Sequence, residues 1–163
     1  TSRARPKGAR TTPSSTARTA AAVRPDLDCA TVYALPREVP RTQAVADAAL
    51  RQLFAGPTDS EREAGYRSPF SAATAGLLKR VFIEQGTAYV DLHDLRERLS
   101  GATSSCGAAE FQTQVERTLR QFPTVRRVII AIDGEPRRFY EWMGQDCDLT
   151  NDRCDAAPFR ARR

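Results

Sequence analysis

Histidine is nearly absent from this sequence. His93 is the single one in 163 residues, and the four cysteines include no Cys-x-x-Cys pair. Zinc sites draw on closely spaced Cys and His ligands, so this spacing argues against zinc. No Gly-x-Ser-x-Gly and no Gly-x-x-x-x-Gly-Lys-Ser/Thr occurs, so no motif marks an activated serine or a phosphate cradle. No apolar run approaches the roughly 18 residues of a membrane-spanning helix, and no secretory hydrophobic segment is present. The crowd of Asp146, Asp148, Asn151, Asp152 and Asp155 lacks the spacing, glycine and closing Glu of a calcium loop, and reads as a solvated loop. No metal or cofactor is expected.

The charge is unevenly placed. Formal net charge is +5, yet residues 1–25 hold six basic groups and no acid, and Arg160, Arg162 and Arg163 crowd the other end. Without those nine, 16 basic groups face 20 acidic ones, so the remainder is mildly acidic. A nucleic-acid-binding fold carries its basic patch on the domain itself, so nucleic acid is not an expected partner.

Residues 1–26 are Arg, Ala, Thr, Ser and Pro with hardly a large apolar side chain. They cannot bury enough surface to offset their ordering entropy and read as a disordered basic linker. Removal of residues 1–25 is expected to leave the melting temperature nearly unchanged. Residues 27–155 read as one domain and 156–163 as a basic C-terminal tail. The four cysteines, Cys29, Cys106, Cys147 and Cys154, allow three pairings. Two bridges fit an oxidising compartment. Cys147 and Cys154 enclose a short polar loop suited to covalent closure, which pairs them and leaves Cys29 with Cys106.

Thr31 to Leu35 is short, β-branched and aromatic, and predicts a first strand that Pro36 stops. Thr42 is a plausible N-cap for a helix whose stripe is Val45, Ala46, Ala49, Leu50, Leu53 and Phe54, ended by Gly56-Pro57. Residues 57–76 form a long connection, which is uncommon without local structure or a role. Within it, Ser60 and Glu63 have capping-box spacing. Gln85-Gly86 then predicts a tight hairpin, with Glu84 opposite Thr87, Ile83 opposite Ala88, Phe82 opposite Tyr89 and Val81 opposite Val90. Val81, Ile83, Ala88 and Val90 should face the core. Phe82 and Tyr89 should share the other face, beside an Arg80–Asp91 pair. A second helix is expected over about 107–121, capped by Ser104 or Ser105, then an inner strand at 128–132. Pro136 can start a short lid helix with Phe139, Trp142 and Met143. The fold class is α+β, a two-layer β-α-β-β-α-β domain with two helices on one face of a small mixed sheet and a short C-terminal helix.

Several of these stretches together resemble the GerMN domain family of sporulation and spore-germination proteins. They are Val39 to Thr58 (VPRTQAVADAALRQLFAGPT), Val81 to Asp91 (VFIEQGTAYVD), Ser100-Gly101, Phe122 to Gly134 (FPTVRRVIIAIDG) and Phe139-Tyr140-Glu141-Trp142. The resemblance covers roughly residues 29–143. It implies an extracytoplasmic module of the bacterial cell envelope, attached to a signal peptide, lipid anchor or membrane helix, and acting in assembly through protein contacts. It implies no catalytic residues. The chain opens on Thr1, and a removed N-terminal signal or anchor is expected as its sole membrane link.

Arg80, Phe82, Tyr89 and Asp91 are the candidate interaction surface, because exposed aromatics on an open sheet make good anchors for partners. Envelope proteins, or a second copy of the chain, are the expected partners. A different class of function is a binding module for cell-wall glycan or peptide, which needs an aromatic-lined groove around Tyr66, Phe70 and Trp142. An envelope hydrolase would need a nucleophile near His93, which Asp91 and Asp94 flank.

Overall fold

The computed structural model describes residues 29–147 and 152–162 in full, and the backbone of residues 14–21. Among the described residues, five strands and five α-helices follow in order: β1 (Ser14–Ala21), β2 (Tyr33–Pro40), α1 (Val45–Phe54), α2 (Asp59–Glu63), β3 (Leu78–Glu84), β4 (Thr87–Leu92), α3 (Ser105–Arg120), β5 (Arg127–Ile132), α4 (Pro136–Trp142) and α5 (Ala157–Arg160).

The hairpin has the predicted register at every pair from Glu84–Thr87 to Arg80–Asp91. Its turn explains why. Gln85 (φ 48°) and Gly86 (φ 82°) both take left-handed backbone, which is the primed two-residue turn that matches strand twist. β5 then lies parallel to β4, reached through the α3 crossover, and completes a three-stranded sheet of order β3-β4-β5.

Alternation along the strands separates two faces. On one face Ala88, Val90 and Leu92 of β4 and Ile130 and Ile132 of β5 join Leu50, Leu53 and Phe54 of α1 and Phe111, Val115 and Leu119 of α3 in a single core. The two helices pack on each other. Ile83, expected in this core, is 38% exposed. It sits on the outer strand beside the turn, where the helices give no cover.

Three expectations about the ends of the chain are corrected. Residues Ser14–Ala21, within the stretch read as a linker, form β1 and pair antiparallel with all of β2. A strand of this composition is held by ladder hydrogen bonds, which leave no apolar signature. The remainder of residues 1–26 lies outside the described residues. Secondly, Pro36 does not stop the first strand but pairs with Arg18 inside it. The β1–β2 ribbon has only two strands, both at an edge, and proline is tolerated there. This ribbon is separate from the main sheet, and β1 lies against α1 and α3. Thirdly, residues 156–162, read as part of a basic tail, are not a loose end. They include α5, and Phe159 is fully buried.

Two glycines are required by geometry. A Cβ on Gly107, in the first turn of α3, would stand 1.9 Å from the Gly101 carbonyl oxygen. One on Gly56, already at φ +78°, would meet the Phe70 carbonyl oxygen at 2.3 Å. The first contact lets the 100–104 loop lie against α3, and the second lets the long connection return to the end of α1. Ser104 caps α3 by accepting the Gly107 N–H at 3.0 Å. Thr42 accepts from the Ala44 N–H at 3.0 Å, and α1 begins at Val45 without a side-chain cap.

Candidate interaction surfaces

The four sheet residues singled out from sequence come together. Phe82 and Tyr89 stack with centroids 4.9 Å apart and planes 16° from parallel. The Arg80 Nε donates to the Asp91 carboxylate at 3.2 Å. This face is not open, however. Phe159 of α5 sets its ring edge-on against both partners, at 6.1 Å from Phe82 and 5.6 Å from Tyr89. The Arg80 guanidinium donates to the backbone carbonyls of Phe159 and Arg162. The Arg162 guanidinium lies 5.0 Å from the Phe82 centroid and pairs with Glu84 at 3.3 Å. Asp91 is buried, and its second oxygen accepts the Gly134 N–H at 2.7 Å. The chain's own C-terminal segment therefore partly covers the surface proposed from sequence, leaving Phe82 and Tyr89 half-buried. The signal for it was Phe159, the lone large apolar residue in a basic run.

Trp142 is not the cover. It packs edge-on against Phe111 and Phe139 in the core. Tyr140 of α4 serves β5, where its hydroxyl accepts the outward-facing Ile130 N–H at 3.3 Å. Burial pushes its phenol up from the ordinary value, against the opposing effect of that N–H.

Both sheet edges differ from one another as a result. The outer edge of β5 is interrupted at Ile130. The outer edge of β3 carries no backbone hydrogen bond from another element among the described residues. Ile83 on β3 and Val45 on α1 are the exposed large apolar side chains among the described residues.

The long connection does have local structure. Thr58 and Glu61, not Ser60 and Glu63, form the capping box of α2. Glu61 also takes a two-pronged ion pair from Arg37 of β2, at 2.5 and 2.6 Å. Burial would raise the Glu61 carboxyl, but Arg37 and the Thr58 N–H outweigh it and hold it below its ordinary value. A cleft of about 650 Å³ opens along this connection, lined by Arg62, Tyr66, Arg67, Ser68 and Phe70. Of the aromatics expected to line a groove, Tyr66 and Phe70 are present, though Phe70 is 1% exposed and belongs to the core. Tyr66 is half-buried, with Tyr33 edge-on at 6.2 Å.

His93 is exposed and makes no side-chain bond. Asp91 points away to Gly134, and Asp94 pairs with Arg96 at 2.8 Å, which holds its carboxyl low. The flanking carboxylates are thus both committed elsewhere. Among the described residues no Cys, His, Asp and Glu cluster could hold a metal ion. The bridges are Cys29–Cys106 and Cys147–Cys154. No described helix is long and apolar enough to cross a membrane.

A family model described as Germane, sporulation and spore germination, matches residues 15–138. The chain belongs to this family. The match begins inside β1, so the N-terminal strand is part of the family pattern. Two solved structures share the fold. The tandem GerMN domains of the sporulation protein GerM from Bacillus subtilis superpose with TM-score 0.52 at 21% identity. The first GerMN domain of that protein gives TM-score 0.52 at 20% identity. The alignments cover 75% and 74% of this chain, and 40% and 84% of those structures. This chain therefore spans less than half of the tandem structure. A search of curated proteins returns no match.

Proposed function

We propose that this GerMN domain is a non-enzymatic, extracytoplasmic assembly module of the bacterial cell envelope. Membership of a sporulation and germination family supports the setting, and two disulfides fit an oxidising compartment. The observation that carries the assembly reading is the outer edge of β3. It is a seven-residue strand, unpaired on one side, with Ile83 exposed near its end. Such an edge is a ready template for backbone pairing, and natural proteins usually blunt it. Partners are envelope proteins, or a second copy of the chain joined along β3. A signal or anchor preceding the chain would supply the membrane link.

Sedimentation velocity of the whole chain over a wide concentration range tests this reading. Reversible association that Ile83→Lys weakens is the expected result, since a charge at an exposed edge opposes pairing without touching the core. A wild-type chain that stays monomeric, and that captures no envelope protein sensitive to Ile83→Lys, would overturn it. Unfolding without reductant should expose no reactive thiol; four labelled cysteines would remove the support for an extracytoplasmic site.

One observation favours a second reading, a binding module for cell-wall glycan or peptide. The cleft along residues 57–73 combines the half-buried ring of Tyr66 with Arg62, Arg67 and two serines, within the volume range of small-ligand sites.

A further inference from the structure

Two ionisable side chains of opposite sign face one recess and do not meet. The recess, about 410 Å³, lies between the long connection and the start of α3, lined by Arg67, Ser68, Ser100, Ser104 and Glu110 among others. Arg67 is exposed and Glu110 half-buried. Neither has a hydrogen bond or ion pair among the described residues, although ten ion pairs occur elsewhere. In a protein whose arginines are mostly engaged, an unpaired cation and an unpaired carboxyl walling the same cavity form an incomplete pair. Burial raises the Glu110 carboxyl from its ordinary value.

The walls hold these groups in place. Ser68 donates to the buried Gln114 at 2.7 Å and accepts from the Phe70 N–H at 3.2 Å, which fixes the backbone next to Arg67. Opposite, Ser104 bonds the Gly101 carbonyl at 2.8 Å, and the absent Cβ of Gly107 lets that loop close on α3. The N-terminal end of α3, favourable to anions, lies on this side, and Glu110 stands one to two turns further on. Arg67 and Ser68 also line the larger cleft that passes Tyr66. The two spaces thus share Arg67 and Ser68 in their walls.

We infer that the recess binds a zwitterionic α-amino acid head group, its carboxylate on Arg67 and its ammonium on Glu110, with any attached chain leaving along the Tyr66 cleft. A guanidinium suits a carboxylate through its planar fork, and a carboxylate accepts an ammonium with charge-assisted bonds. The ligand is a free amino acid, or a peptide whose branch ends in an amino acid bearing both groups. This inference deepens the cell-wall-peptide reading and is independent of the assembly reading.

Amide NMR titration of the whole chain tests it, with Nε-acetyl-L-lysine as the probe carrying a zwitterionic head and neutral tail. Saturable shifts at Arg67, Ser68 and Ser104 to Glu110 are expected. Nα,Nε-diacetyl-lysine, lacking the ammonium, and Nε-acetyl-lysinamide, lacking the carboxylate, should each bind at least tenfold more weakly. Arg67→Ala and Glu110→Gln should each cost about tenfold or more while the spectrum elsewhere stays unchanged; both side chains lie outside the core. L-alanine binding as tightly as the probe identifies a free amino acid, and tighter binding of the probe identifies a peptide branch. Absence of saturable shifts, equal binding of the diacetylated probe, or full binding by Arg67→Ala overturns the inference. A cell-wall peptide that shifts Tyr66 and Arg62 but not Glu110 would sink the inference while leaving the cell-wall reading intact.

Discussion

Replacing Phe159 by Ala isolates the contribution of the C-terminal cover. The Phe159 side chain is fully buried against the Phe82–Tyr89 stack, although α5 is only four residues long. Truncating a buried phenylalanine costs about 3–5 kcal/mol. The low end applies here, because a four-residue terminal helix can settle into part of the space. For a domain of this length each kcal/mol moves the melting temperature by about 2–4 °C, so about 3 kcal/mol corresponds to a fall of roughly 6–12 °C. Arg162→Ala is the matched control. Its side chain is 51% exposed and its pair with Glu84 is a surface ion pair, whose loss costs less than about 1 kcal/mol. Reversible thermal and urea unfolding of both variants provides the measurement. A Phe159→Ala protein indistinguishable from wild type would show that the C-terminal segment is not part of the cooperative unit. The same variant also uncovers the aromatic pair. If it self-associates, and Phe82→Ser reverses this, the sheet face is a latent contact surface kept shut by α5.

Gly107→Ala should destabilise by about 1–3 kcal/mol through overpacking against the Gly101 carbonyl, although Gly to Ala inside a helix ordinarily gains about 1 kcal/mol; a stabilised variant in urea titration would refute the close approach. Glu61 has its carboxyl lowered in the fold from 4.5. Its contribution is therefore present above that value and lost as pH falls through the lower folded value. Glu61→Gln should flatten the acid limb of a urea-midpoint profile, and an unaltered limb would exclude the Arg37 pair as its source. Deleting residues 1–25 removes β1 and leaves the β2 ladder unpaired, so the melting temperature should drop by several degrees; no drop would show that the ribbon adds nothing to the fold.

What the sequence made legible follows from where its constraints are local. The hairpin register was readable because one Gln-Gly turn dictates every pair, and the Arg80–Asp91 pair came with it. The two bridges were readable from the short polar loop between Cys147 and Cys154. β1 was not, because its ladder with β2 uses backbone groups that any residue supplies. Nor was α5, since a single phenylalanine among arginines has no periodicity. The α2 cap was misplaced because Thr58–Glu61 and Ser60–Glu63 share one spacing. The four residues chosen as a candidate surface do come together, but Phe159 partly covers them. Strand alternation assigns a side chain to a face, but says nothing of what a distant segment lays over that face.

The unequal edges of the main sheet limit the symmetry of any assembly built on it. Tyr140 obstructs β5, so a strand cannot be added there while one is added to β3. Within the main sheet, pairing by backbone is then restricted to β3 meeting β3 of another copy, an isologous contact that closes on a two-fold axis and stops at two subunits. A ring or filament of these domains would need a heterologous contact elsewhere on the surface. Edge pairing through the main sheet supplies only the dimeric building block of such an array.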